Sequence, residues 1–308
     1  MSGILDSVNQ RTQLVGQNRL ELLLFKLNGR QRFGINVFKV REVLQCPPLT
    51  SIPRQNKLVR GVAHIRGQTI SVIDLSMATG GRKIEDVKNG FIIIAEYNRS
   101  VQGFLVGSVE RIINTNWDAI MPPPQGTGKA SYLTAVTEVE NELIEILDVE
   151  KILNEISPLN STVSEDLAAG LNMSESPAND KIIFIADDSS VARSQVKKAL
   201  TALGLKIEVT KNGLEALNRL KEIAAETGDV TDSVGVLVSD IEMPEMDGYT
   251  LTAEIKNTPE LQKLKVVLHT SLSGVFNQVM VKKVGADDFI AKFHPDELAS
   301  AVQKWFNK

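Results

Sequence analysis

A stretch of 24 residues, Ser157 to Asp180, divides this chain into two halves of different rhythm. It carries five serines, two prolines and four acids, with no Lys or Arg and few large apolar residues. Such a composition buries too little apolar surface to offset the entropy of ordering, so it reads as a linker. A flexible chain of this length spans roughly 27 Å r.m.s.. The constraint is strong: each half must bury a core of its own. We therefore expect domains at residues 1–157 and 181–308, joined by a flexible linker at 158–180. The 308-residue length suits two domains.

The first half has the pattern of a mostly-β fold. Arg32-Phe33-Gly34-Ile35-Asn36-Val37 alternates apolar with polar or small residues, as a half-buried strand does. Leu22 to Phe25 precedes it across the turn signal Asn28-Gly29. Val62 to Ile65 and Ile70 to Ile73 flank Arg66-Gly67 and read as a second hairpin. Further strands are expected at Phe91–Tyr97, Gln102–Val106, Val109–Ile113 and Leu143–Leu147. Many short strands with turn signals predict small barrels or sandwiches. Helices are expected at Leu5–Leu20, Phe38–Leu44 and Glu150–Glu155.

The second half alternates apolar strands with helical segments, which predicts a parallel sheet. The strands are Ile182–Ala186, Ile207–Thr210, Val234–Ser239, Val266–Leu268 and Asp288–Ala291. Ala192, Val196, Ala199, Leu200 and Leu203 recur at helical spacing, and Gly204 offers a stop. Five such units fit an α/β flavodoxin-like fold.

Composition narrows the function. A net charge of −4 disfavours nucleic acid, whose binders carry a basic face. No apolar run approaches the roughly 18 residues of a membrane span, so no membrane insertion is expected. The start lacks the regions of a signal peptide, and Cys46 is the sole cysteine; both fit a cytoplasmic chain. Gly126-Thr127-Gly128-Lys129 looks like a phosphate loop, but Pro123 and Ala130 stand where that motif needs Gly and Ser/Thr.

The chemistry lies in the second half. Asp187-Asp188, Asp240, Thr270 and Lys292 each fall at or near the end of an apolar run. In an open parallel sheet such ends gather on one edge. Carboxylates packed there repel by about 4 kcal/mol per pair at 4 Å and an effective dielectric of 20. A hard divalent cation offsets that, and Mg²⁺ takes oxygen ligands while leaving room for phosphate oxygens. A carboxylate such as Asp240 can then attack phosphorus. Lys292 can neutralise a phosphoryl oxygen, and the Thr270 hydroxyl can donate to another. Singly, these residues have plainer readings: an acid pair before a helix is often an N-cap, and a lysine after a strand is often only solvated. Their joint order carries the inference.

Residues 181–308 resemble the receiver domain of two-component response regulators. The resemblance implies that Asp187 and Asp188 bind Mg²⁺, that Asp240 takes phosphate from a histidine kinase, and that Thr270 and Lys292 sense it. It places the third metal ligand at the Glu242 backbone carbonyl and an aromatic switch at Phe289. Two positions depart from the usual pattern: Ser271 follows the threonine, and Lys292 is followed by Phe293 rather than proline.

The first half resembles the CheW-like coupling domain, on Ile65-Arg66-Gly67 followed by Ile70 to Leu75 and on Val106-Gly107 followed by Val109. Ser71 stands where that family has proline, which restores a strand N–H. The resemblance implies that Arg66 faces a receptor or kinase. Asp74 suits a helix cap.

Together the halves resemble the CheV-type family of chemotaxis coupling proteins. This implies chemoreceptors and the histidine kinase CheA as partners, and a place at receptor arrays on the inner face of the membrane. It implies tuning by phosphorylation, as adaptation or as a phosphate sink, with no enzymatic turnover beyond the receiver's own phosphate. Alternatives are the tail of a hybrid CheA-type kinase, an aspartyl-phosphate phosphatase, or a passive scaffold.

Overall fold

The computed structural model describes residues 19–53, 55–97, 100–122, 132–157, 163–164, 181–201, 204–270, 281–292 and 294–306. The chain divides into two compact units, one spanning Arg19–Leu159 and the other containing Asn160–Lys308.

The first unit holds two five-stranded sheets. One contains β1 (Arg19–Lys26), β2 (Arg32–Asn36), β8 (Ser108–Asn116), β9 (Leu133–Val139) and β10 (Glu142–Leu147), in the order β8-β1-β2-β10-β9. The other contains β3 (Val40–Gln45), β4 (Val59–Ile65), β5 (Gln68–Asp74), β6 (Phe91–Tyr97) and β7 (Ser100–Val106), in the order β3-β6-β7-β5-β4. Contacts between edges draw each sheet round on itself. Met121 bridges Val136, and Arg111 pairs with Glu140 at 2.6 Å. Thr50 bridges Val62, and Arg66 on the β4–β5 turn pairs with Glu42 of β3 at 2.7 Å.

The uninterrupted apolar run Leu22–Phe25 is explained by burial on both faces. Leu22 and Leu24 pack with Ile144 and Ile146 in one core. Leu23 and Phe25 pack with Ile35, Ile73, Ile93 and Phe104 in another, which joins residues of both sheets. The second sheet has its own cluster around Ile70, Val72, Ile92, Ile94 and Leu105. Helix α1 (Leu75–Ala78) follows β5, and α2 (Val149–Ile156) closes the unit, burying Val149, Ile152 and Leu153 in the shared core.

Gly107 is the crossing between sheets, from β7 to β8. A Cβ there would stand 2.1 Å from the Leu27 carbonyl oxygen, and its own N–H donates to the Lys26 carbonyl at 2.9 Å. The Val106-Gly107 motif thus has a steric cause.

One local expectation is corrected. Phe38–Leu44 is not a helix: a single 3₁₀ turn at Val37–Lys39 leads into β3, which pairs antiparallel with β6. Its apolar residues fit either period, and strand pairing decides. Strand β9 was not expected. The opening helix lies outside the described residues except at its end, where Leu20 is in β1. The Gly126–Lys129 loop also lies outside them.

The second unit is a parallel sheet of β11 (Ile182–Ala186), β12 (Lys206–Thr210), β13 (Val234–Ser239), β14 (Lys265–Thr270) and β15 (Asp288–Ala291), in the order β12-β11-β13-β14-β15. The expected flavodoxin-like order is therefore found, with its switch point between β11 and β13. Helices α3 (Ser190–Thr201) and α6 (Pro295–Phe306) cover one face; α4 (Gly213–Thr227) and α5 (Gly248–Asn257) cover the other. Asn212 caps α4 through its side chain, and Asp247 caps α5 by accepting from the Tyr249 and Thr250 amides. Of residues 158–180, Val163 and Ser164 are described, and both lie against this unit.

Candidate functional site

The carboxylates meet at the switch point. Asp187 follows β11 and Asp240 follows β13, so adjacent strands deliver them to the same edge. Asp187, Asp188 and Asp240 each place a carboxylate oxygen within 4.8 Å of the others. Lys292, just beyond β15, reaches across the edge. Its Nζ lies 2.8 Å from Asp187 Oδ2 and 2.8 Å from Asp240 Oδ2. All three of these side chains are nearly closed to solvent, Asp240 being the most open at 6%. Asp188 is half-buried.

Backbone contacts fix the carboxylates. The Ser189 amide donates to Asp187 Oδ1 at 2.9 Å, and the Ile241 amide to Asp240 Oδ1 at 2.7 Å. Each acid therefore offers its other oxygen to the ammonium. The Asp240 amide donates to the Ala186 carbonyl at 2.8 Å, which locks the two loops in register.

Thr270 ends β14 and is fully buried; its carbonyl accepts from the Lys292 amide at 2.7 Å. The two are thus tied through the backbone. Phe289, on β15, is half-buried against the cluster of Leu237, Tyr249, Leu251 and Leu268. Glu242 lies two residues beyond Asp240, and its charge, with that of Asp247, reinforces burial in raising the Tyr249 phenol above its usual range. Phe293 lies outside the described residues.

Sequence reasoning missed three residues. Arg193, one turn into α3, donates from Nη1 to the Asp187 carbonyl at 2.7 Å. It pins the acid loop; its position in the first turn of the helix after the acid pair was the available signal. Gly248 packs on the Asp240 loop: a Cβ there would stand 2.1 Å from the Asp240 carbonyl oxygen. His269 is buried beside the site, and desolvation, aided by the Lys292 charge, holds its imidazole well below the usual range. A polar residue inside an apolar strand gave no hint of its neighbours.

In the first unit, Arg66 and Gly67 form the tip of the β4–β5 hairpin with φ of 48° and 81°. A two-residue turn with both φ positive matches strand twist. The Arg66 side chain is 80% exposed. Asp74 is fully buried and caps α1 as expected, accepting from the Met77 amide at 3.2 Å. It also accepts from Arg60 Nη1 at 2.7 Å and from the Ile84 amide at 2.9 Å, so it pins the loop after α1.

Comparison with known proteins assigns both units. Residues 21–157 match the CheW-like domain family, and residues 183–303 match the response regulator receiver domain family. The chemotaxis protein CheV1 of Helicobacter pylori is 28% identical over 99% of this chain and 99% of its own. CheV3 of the same organism is 28% identical over 94% of this chain and 96% of its own. The crystal structure of the scaffolding protein TtCheW from Thermoanaerobacter tengcongensis is 27% identical, covers 44% of this chain and 87% of its own, and has a TM-score of 0.41.

A CheW-like domain followed by a receiver defines a chemotaxis coupling adaptor that carries a response-regulator module. This chain has that architecture and is similar end to end to the CheV-type chemotaxis coupling proteins, and the hybrid-kinase alternative is not favoured. Among the described residues, no helix is long and apolar enough to cross a membrane.

Proposed function

We propose that this chain couples chemoreceptors to the histidine kinase CheA through its CheW-like domain, and that phosphorylation of Asp240 tunes that coupling. The observation that carries the reading is the buried Lys292 ammonium shared by Asp187 and Asp240. Three clustered carboxylates and a lysine make a cation and phosphate site more than a structural ion pair. Asp187, Asp188 and Asp240, with the Glu242 backbone carbonyl, would hold Mg²⁺, since hard oxygen donors suit it. When bound, the ion neutralises charge on the phosphoryl oxygens.

In this reading an Asp240 carboxylate oxygen attacks the phosphorus of a phosphohistidine. A P–O bond forms as the P–N bond breaks, and the imidazole leaves. Lys292 then turns from the carboxylates to a phosphoryl oxygen, and the Thr270 hydroxyl donates to another. Phe289, three residues before Lys292, reports the change at the surface from Val266 to Lys292. The protein acts once per phosphate and is not an enzyme for other substrates. It works at receptor arrays on the cytoplasmic face of the membrane, without inserting into it and without nucleic acid. It serves adaptation or draws phosphate from other acceptors.

Coupling energies of about 1–3 kcal/mol change affinity about 5- to 150-fold. Full switching from 1:99 to 99:1 takes about 5.5 kcal/mol. The expected effect is therefore modulation of kinase output. The test is reconstitution with receptor-bearing membranes and CheA, comparing wild type with Asp240→Asn. Co-sedimentation of both, with phosphate and a changed kinase rate in wild type alone, supports the reading. Phosphate on the variant removes Asp240 as acceptor; phosphate transfer without co-sedimentation leaves only the phosphate sink.

A further inference from the structure

The stretch that separates the two domains in sequence does not begin the receiver where its sheet begins. Val163, eighteen residues ahead of Lys181, is 8% exposed and belongs to the apolar cluster beneath α3 and α6. That cluster includes Val196, Ala199 and Leu200 of α3 and Leu298, Ala299 and Val302 of α6. The next residue, Ser164, donates its amide to Asp296 Oδ1 at 2.9 Å, in the first turn of α6. A buried apolar anchor and an adjacent backbone bond to a fixed helix end form a two-point attachment. Asp296 is four residues beyond Lys292, so the attachment point sits on the segment that leaves the carboxylate site.

We propose that Val163 and Ser164 clasp the linker onto the α3–α6 face of the receiver, and that this clasp sets how far the receiver can travel from the CheW-like domain. Without it, 24 Cα–Cα steps run from Ser157 to Lys181 and reach at most about 84 Å. With it, six Cα–Cα steps run from Ser157 to Val163 and reach at most about 21 Å. These limits depend on chain length alone, whatever conformation the residues between adopt. A shorter tether raises the effective concentration of one domain at the other. The α3–α6 face is then a docking surface whose occupant is the chain's own linker.

The experiment uses the full chain. Hydrogen exchange resolved at the Ser164 amide is expected to be at least about tenfold slower than for an unprotected peptide, reflecting its bond to Asp296. Asp296→Ala and Val163→Asp should each return it to the unprotected rate, with exchange in Ile182–Ala186 unchanged as the check on folding. An unprotected Ser164 amide in the wild type overturns the clasp. Reach is read from spin labels at Ser157→Cys and Ser300→Cys in a Cys46→Ala background. Val163→Asp should extend the distance distribution to longer values; an unchanged distribution overturns the tether role. Neither readout involves phosphate, so either failure stands apart from failure of the phosphoryl-site reading.

Discussion

The Lys292 ammonium lies 2.8 Å from a carboxylate oxygen of Asp240, with both side chains buried. The same nitrogen reaches Asp187, so one cation serves two of the three acids that would hold a metal. Ammonium and metal then draw on the same oxygens. Removing one partner of a buried ion pair typically costs about 3–5 kcal/mol. Lys292→Met should lower receiver stability by about 3 kcal/mol without metal. Mg²⁺ should restore more stability to this variant than to wild type, because a ligand that binds only the folded state stabilises it. Urea unfolding with and without Mg²⁺ checks this. An equal Mg²⁺ effect in both proteins would mean that the metal does not use the oxygens Lys292 holds.

Two glycines make opposite controls. A Cβ at Gly248 would stand 2.1 Å from the Asp240 carbonyl oxygen, and one at Gly107 would stand 2.1 Å from that of Leu27. Backbone cannot yield as a flexible side chain does, and overpacking costs about 1–3 kcal/mol. Each unit has its own tryptophan, Trp117 in the first and Trp305 in the second. Single-tryptophan variants therefore report each unit's unfolding. Gly107→Ala should lower only the Trp117 transition, and Gly248→Ala only the Trp305 transition. Movement of both by either substitution would show that the units do not unfold independently.

His269 supplies a pH dependence. Its folded-state imidazole titrates well below the usual range, because burial and the Lys292 charge disfavour the cation. In the unfolded chain it titrates near 6.5. Below that pH the unfolded state binds a proton that the folded state does not, so stability falls as pH falls. The slope is about 1.4 kcal/mol per pH unit. The window runs from about pH 6.5 down to about 5, above the range in which ordinary carboxylates titrate. The other two histidines, His64 and His294, are exposed. Receiver stability followed through Trp305 should decline across this window, and His269→Val should flatten the slope whatever it does to the absolute value. A slope that survives the substitution would assign the dependence elsewhere.

The receiver was far more legible in the sequence than the first unit, for a physical reason. Asp187, Asp240 and Lys292 follow strand ends, and a parallel sheet delivers all strand ends of one polarity to one edge. Position along the chain therefore stood for position in space. Arg193 escaped because it acts through the Asp187 carbonyl, and backbone acceptors leave no mark on composition. In the first unit, β1 and β6 are buried on both faces, so period gave strands but not partners. The parallel pairs β2–β10 and β5–β7 join residues far apart in sequence, and no local pattern announces them. Phe38–Leu44 was misread because short apolar runs fit either period.

Arg66 separates folding from binding. It holds φ at 48°, a region that costs a residue with a side chain about 1–2 kcal/mol relative to glycine. Its ion pair with Glu42 is 80% exposed on the arginine side, and such pairs contribute about 0–1 kcal/mol. The two effects nearly cancel or favour glycine, so nothing in the fold requires arginine there. Arg66→Gly should leave unfolding through Trp117 unchanged or raise stability by up to about 1 kcal/mol. If the exposed guanidinium meets a receptor or kinase, the same variant should co-sediment less with receptor-bearing membranes and CheA, and added salt should narrow the gap from wild type. Retained stability with lost association would place Arg66 on the coupling surface. Retained stability with undiminished association would leave it a turn residue, and lost stability would mean that the pair with Glu42 holds the barrel edges β3 and β4 together.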